Sequence, residues 1–261
     1  MKQHLSEAQM ATITRFEKLY KAVSVLVCLA MIAVMLLTVS YLPPFGDPSN
    51  PANNEVPQRY IEQGVEETGA LNIVTAMILD YRAFDTFGEA AVLFMSVSAI
   101  VMILRREKEE VMQSILNTRP FEPRKDQIFM MVAQYLIPCV LLFGIYIAVN
   151  GHLSPGGGFS GGALLGAGLI LWSSALGFES TARFMTERRF SSLLMGSMLF
   201  YALAKGYSFF TGANHIDSMI PLGQPGNILS AGLILPLNLA IALVVAVTIY
   251  GIFALFSRGG L

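Results

Sequence analysis

Six stretches of this chain, residues 20–42, 84–104, 127–149, 159–178, 190–210 and 228–256, are each long and apolar enough to cross a bilayer. A hydrocarbon core about 30 Å thick needs about 20 apolar residues as helix. Inside lipid the backbone has no water to bond, so such runs satisfy their own polar groups by becoming helical. Charged residues make up 13% of the sequence and mean hydropathy is +0.58. Soluble domains carry roughly a quarter charged residues. The expected fold is all-α, a polytopic membrane bundle of about six transmembrane helices.

The basic residues orient that bundle. Fourteen of the 17 lysines and arginines lie before or at the very start of the first run (Lys21), between the second and third, between the fourth and fifth, or after the sixth. The opposite loops hold Arg59 among Asp47, Glu55, Glu62, Glu66 and Glu67. By the positive-inside rule the basic side is cytoplasmic, and six spans put both termini there. Residues 1–19 read as a cytoplasmic segment, either an amphipathic surface helix or a frayed tail. The first run is spanning rather than a cleaved signal, since no small-residue cleavage site follows it. The net charge of −1 gives no basic face for nucleic acid. Cys28 and Cys139 sit singly in apolar runs, away from any zinc or redox spacing, and read as buried small side chains. No metal site and no cofactor are expected, and no internal repeat supports an alternating-access transporter.

The stretch from Asn150 to Gly162 (NGHLSPGGGFSGG) breaks the helical pattern before the fourth span. Its G-x-G-x-x-G match follows no strand, so it is not a dinucleotide site. Gly158, Gly162 and Gly166 recur every four residues on one helix face, which allows close approach by another helix. Pro155, Gly156, Gly157 and Gly158 read as a turn whose amides and carbonyls meet a partner or a cation path, with Gly161 in the same element. His152 beside it has an unperturbed pKa that allows titration near neutrality. The last run carries Pro236 about a third of the way along, where a kink is expected.

Two places put charge where lipid is expected. Asp80-Tyr-Arg-Ala-Phe-Asp-Thr-Phe-Gly-Glu89 holds Asp80, Arg82, Asp85 and Glu89, with Glu89 at least a turn inside the second span. Lys205 lies past the middle of the fifth. An ionisable side chain at membrane depth is costly, so it pairs, faces water or takes part in transport. The ion-translocation candidates are therefore Glu89, Lys205, Asp80, Arg82, Asp85 and His152. The structural alternative has Arg82 pairing with Asp80 or Asp85, and Lys205 pairing with a carboxylate elsewhere. Residues 69–79 are apolar but too short to cross alone, and read as a half-helix or re-entrant piece. His215 and Asp217 read as a solvated turn.

These residues carry a resemblance. Residues 151–163 (GHLSPGGGFSGGA) resemble the signature of the MrpB (MnhB) family, a component of the Mrp-type multisubunit sodium/proton antiporter. Residues 74–89 (VTAMILDYRAFDTFGE) resemble the MbhE-like module, found at the C-terminal end of the large MrpA component and separately in membrane-bound hydrogenases. The resemblance divides the chain into an N-terminal segment (1–19), an MbhE-like module (20–105), a cytoplasmic connector (106–125) and an MrpB-like domain (126–261). It implies a cell-membrane subunit of an antiporter, or of a related redox-driven pump, or a non-conducting scaffold in either. The implied partners are other Mrp- or Mbh-type membrane subunits, with sodium, protons and lipids as the small species. Any redox chemistry would sit in a different polypeptide of the complex, and Glu89 maps onto the glutamate placed on the family's ion path.

Overall fold

The fold is taken from a computed structural model, which describes residues 7–104 and 126–258. The expected cytoplasmic connector lies outside the described residues. Six helices in the described residues are long and apolar enough to cross a membrane, and no strand occurs among these residues. The protein is a multi-pass, all-α membrane bundle.

By its contacts the chain separates at Pro57. The first unit contains helix α1 (Glu7–Ser40). Residues 7–19 continue the spanning helix without a break. From Phe16 to Leu42 its large apolar side chains are exposed, as suits a surface made for lipid or for neighbouring subunits. The following loop is knit by side chains that mimic backbone turns. Asp47 accepts from the amide and hydroxyl of Ser49 at 2.8 and 2.7 Å, which holds its carboxyl below the usual range.

The second unit carries two short helices, α2 (Glu55–Glu62), shared with the boundary, and α3 (Gly64–Thr68). The piece expected to be half-helical or re-entrant is a single turn, α4 (Ile73–Ala76), running into a π-turn at Met77–Tyr81. Asn72 caps α4 by accepting from the amides of Val74 and Thr75. Then follow α5 (Ala83–Leu104), α6 (Gln127–Val149), α7 (Gly158–Leu176), α8 (Phe178–Phe184), α9 (Glu187–Ala213) and α10 (Ile234–Arg258). Cys28 and Cys139 are exposed on their helices rather than buried, because both helices turn that face out of the chain's own core.

Helix α10 is the core helix, because it is apolar on all sides and so can be surrounded. Leu237, Ile241, Val244, Val247, Tyr250 and Ala254 are all buried. Towards one end they meet Ala70, Leu79 and Tyr201, and towards the other Val97, Leu169, Phe190 and Leu194. The start of this helix departs from expectation. It begins at Ile234, and residues 228–233 form a turn, with Ala231 and Gly232 at positive φ. Pro236 therefore sits in the first helical turn, where its missing N–H has no intrahelical partner to lose. The kink expected about a third of the way along the last run is replaced by a helix start. Among the described residues, a proline well inside a spanning helix is Pro138, in α6.

Candidate functional site

The glycine-rich break is a packed joint. A Cβ added at Gly158 would lie 2.5 Å from the Asn238 carbonyl oxygen, at Gly162 2.6 Å from that of Ala242, and at Gly166 3.0 Å from Ile249 Cβ. These three glycines let α7 press against α10. Gly161 faces the other way, where a Cβ would meet Ala148 and the Gly144 carbonyl oxygen at 2.9 Å. Glycine thus makes α7 thin on two faces, the means by which membrane helices gain dispersion contact.

The turn itself is held from three sides. Asn72 Nδ2 donates to the carbonyls of Gly151 and Ser154 at 2.8 and 2.9 Å, and the Thr75 hydroxyl donates to Gly151 at 2.7 Å. The Asn72 amide donates to the His152 carbonyl at 3.0 Å, and Asn238 Oδ1 accepts from the Gly158 amide at 2.9 Å. Gly156 and Gly157 adopt φ of +142° and +136°, which side chains resist, and Pro155 lies at the bend. The polar backbone groups expected to meet a partner or an ion are largely engaged within the chain, because Asn72, Thr75 and Asn238 supply the complementary atoms. His152 is fully buried, with Nε2 3.3 Å from the Asn227 carbonyl oxygen, so it fastens the turn to the 227–232 segment.

The charged residues collect elsewhere. Lys205 Nζ donates to Asp80 Oδ1 at 3.1 Å, with the lysine side chain 7% exposed and the aspartate 41%. Lys205 lies eight residues before the end of α9, about 12 Å along a helix rising 1.5 Å per residue. One turn earlier on the same face is Tyr201, which the sequence alone does not single out. Its hydroxyl donates to the Ala83 carbonyl at 3.0 Å and its ring stacks on Phe87 at 5.5 Å. Tyr201 thereby fixes the first turn of α5, the link between Asp80 and Glu89. The i, i+4 spacing of Tyr201 and Lys205 is the signal that points to it.

Glu89 lies six residues into α5, about 9 Å from its start. It faces a side groove of 910 Å³ lined by Gly88, Val92, Phe159, Ser160, Ala163 and Val245 among others. Apart from Glu89 and Ser160 these are apolar or glycine. Arg82 does not reach Asp80. It pairs with Asp85 at 2.5 Å, and both side chains are more than half exposed. His152 has no polar contact with this cluster among the described residues.

Two family models match the chain. Residues 14–119 match MbhE, the E-type subunit of MBH, and residues 128–251 match MnhB, a "domain related to MnhB subunit of Na+/H+ antiporter". The chain thus carries an MbhE-like module followed by an MnhB-like domain of the Mrp type. An uncharacterized protein of Methanocaldococcus jannaschii, MJ1307, is 28% identical over 66% of this chain and 71% of its own length. A probable K(+)/H(+) antiporter A/B subunit of Rhizobium meliloti is 28% identical over 47% of this chain, which spans 14% of that protein. Among solved structures, a chain of the membrane-bound sulfane sulfur reductase, an archaeal respiratory membrane complex, superposes with a TM-score of 0.68 at 26% identity. It covers 90% of this chain and 97% of its own. A chain of the Mrp complex from Dietzia shares the fold, with a TM-score of 0.63 at 20% identity over 99% of this chain and 27% of its own.

The protein is thus a multi-pass membrane subunit of the antiporter type, similar to subunits of multisubunit membrane complexes. Mapped on the two modules, Asp80, Arg82, Asp85 and Glu89 belong to the MbhE-like part. Lys205, Tyr201 and the glycine turn belong to the MnhB-like part. The Asp80–Lys205 pair and the Asn72 contacts cross between them.

Proposed function

We propose that this chain forms part of the ion path of an Mrp-type complex that exchanges sodium for protons in the cell membrane. Glu89 and the Asp80–Lys205 pair are the groups that handle the ions. The observation that carries this reading is the pairing of an almost fully buried lysine with a half-open aspartate, one helical turn from the residue that anchors the Glu89 helix. A charge at the centre of a spanning helix costs about 2.5–3.5 kcal/mol on insertion scales, and it persists where it pairs or serves transport. Asp80 offers oxygen ligands suited to a hard cation, and its open side admits water or sodium. Glu89 offers a second carboxylate at depth, facing a groove that neighbouring subunits or lipid would line. We assign Arg82–Asp85 and His152 structural roles, since the first pair is exposed and the histidine fastens a turn.

Glu89→Gln and Lys205→Met, each in the purified complex, test the reading. Both are expected to lose sodium/proton exchange in proteoliposomes while the complex keeps its subunits. Exchange at wild-type rates in either variant would assign that residue to scaffolding. A second reading is favoured by the near-complete coverage of the sulfur reductase chain: the same polypeptide working in the membrane arm of a redox-driven complex. Mass spectrometry of what accompanies the tagged chain in mild detergent separates the two. Antiporter-type subunits alone support the first, and iron–sulfur or nickel–iron proteins support the second.

A further inference from the structure

Asp80 is bound on its inner side by Lys205, yet its direction is set by the turn that carries it. That turn is a π-turn, with the Arg82 amide bonding the Met77 carbonyl at 2.8 Å and the Thr86 hydroxyl donating to the Ile78 carbonyl at 2.7 Å. Single π-turns are rare and are favoured over α-geometry only where something holds them. Shifting a helix by one residue of register swings its side chains by about 100°. A reset of this turn would carry Asp80 away from Lys205.

The hold is visible at the next residue. Tyr81 donates its hydroxyl to Glu67 Oε2, and Arg59 Nη2 donates to Glu67 Oε1 at 2.6 Å. The Tyr60 ring lies against the Tyr81 ring at 4.7 Å. Glu67 sits on a firm base. A Cβ at Gly69, just past its helix, would come within 3.1 Å of the Leu222 carbonyl oxygen and 3.2 Å of Ala231 Cα, so α3 is seated closely on the 222–231 segment. Three residues on, Asn72 is tied to the glycine turn as described above. Adjacent residues of one turn thus face two fixed partners: Tyr81 towards Glu67 and Asp80 towards Lys205. Burial and the Glu67 carboxylate push the Tyr81 hydroxyl up to about 12, and the Arg59 hydrogen bond holds Glu67 below its usual range. At neutral pH the contact therefore joins a protonated phenol to an ionised carboxylate.

We propose that Arg59, Glu67 and Tyr81 form a latch that positions Asp80, keeping the π-turn in the register that aims its carboxylate at Lys205. Tyr81 is a positioning residue for the ion path, and the inference rests on the role given to Asp80 under the proposed function. The test is sodium/proton exchange by purified complex in proteoliposomes, normalised to assembled complex, for Tyr81→Phe, Glu67→Ala, Glu67→Gln and Asp80→Asn. Outer partners that orient a ligating carboxylate typically matter by about 10–100-fold. Tyr81→Phe and Glu67→Ala are expected to raise the apparent KM for sodium on the order of tenfold at little-changed kcat. Glu67→Gln keeps a carbonyl to accept from Tyr81 and is expected to restore most of the affinity. A purely structural latch would instead lower the yield of assembled complex and leave KM unmoved. That result, wild-type behaviour of Tyr81→Phe, or failure of both Tyr81→Phe and Glu67→Ala to assemble would overturn the proposal. Asp80→Asn separates the two levels. If it exchanges sodium normally, the ion-path reading itself falls. If it is inactive while Tyr81→Phe is normal, only the latch does.

Discussion

The glycine joint and the charged cluster sit in the same bundle, but they are finished to different degrees. In the joint, close packing is bounded by backbone on both sides, and the turn's carbonyls and amides meet Asn72, Thr75 and Asn238. In the cluster, Asp80 is half open, Arg82 and Asp85 are mostly open, and Glu89 faces the side groove. In the first region most of the turn's backbone groups find partners within one chain, while His152 Nδ1 and Asn238 Nδ2 are buried without one. The second presents its ionisable groups at an open surface. On the proposed function, packing and ion handling are divided in space, and substitutions in the two regions should fail in different ways.

The largest effect is expected in the joint. Gly162→Val places a branched side chain where even a Cβ meets the Ala242 carbonyl oxygen at 2.6 Å and Val245 Cβ at 2.8 Å. Overpacking typically costs about 1–3 kcal/mol and occasionally more, and here the obstructing atoms include backbone that cannot rotate away, so the cost exceeds about 3 kcal/mol. Loss of the folded chain from membranes, read by yield of intact complex, is the expected outcome. Normal yield would mean that α7 and α10 are not held so closely.

An intermediate effect is expected for Asn72→Ala, which removes the side-chain bonds to Gly151 and Ser154 and the helix cap. Net hydrogen-bond contributions near 1 kcal/mol each put the loss at about 2–3 kcal/mol. A lowered melting temperature of the purified complex, with residual exchange per assembled unit unchanged, would place Asn72 with the joint. Altered exchange without altered melting would blur the division.

The smallest effect separates the regions by pH. Apart from His152, the joint's contacts are amides and hydroxyls, whereas the latch beside the cluster is built on a phenol and a carboxylate. Tyr81 is raised from 10.0 to about 12, so its folded form keeps the proton that the unfolded chain has released. Its contribution is full below pH 10 and fades as pH rises towards 12. Glu67 is lowered from 4.5, so its share is present above that pH and fades below it. Melting measured from about pH 9 to about pH 12 should show an alkaline limb in the wild type that is smaller in Tyr81→Phe. Equal limbs would mean the phenol contributes nothing there.

Much of the bundle is legible in sequence, because lipid forces long apolar runs into helices. The third run, 127–149, and helix α6 share the same bounds. The last run misleads by six residues, from 228 to the helix start at Ile234, since apolarity alone cannot tell a turn built on Asn227–Gly232 from the beginning of a helix. The site is legible in part. Burial cost points to Glu89 and Lys205, but nothing local joins Lys205 to Asp80, which lies 125 residues away. The π-turn is invisible, because a single changed hydrogen bond leaves no periodic trace. Tyr201, Asn72 and Asn238 escape notice because a lone polar residue in an apolar run takes its meaning from what tertiary packing brings beside it.

The Asp80–Lys205 pair joins residues matched by two different family models within one continuous polypeptide. For separate polypeptides, such a contact would depend on concentration and on equal supply of both halves. Here the partner is tethered, its effective concentration is set by the chain, and the stoichiometry is one to one. Dilution into detergent can strip away neighbouring subunits, but it cannot part this aspartate from its lysine by dissociation.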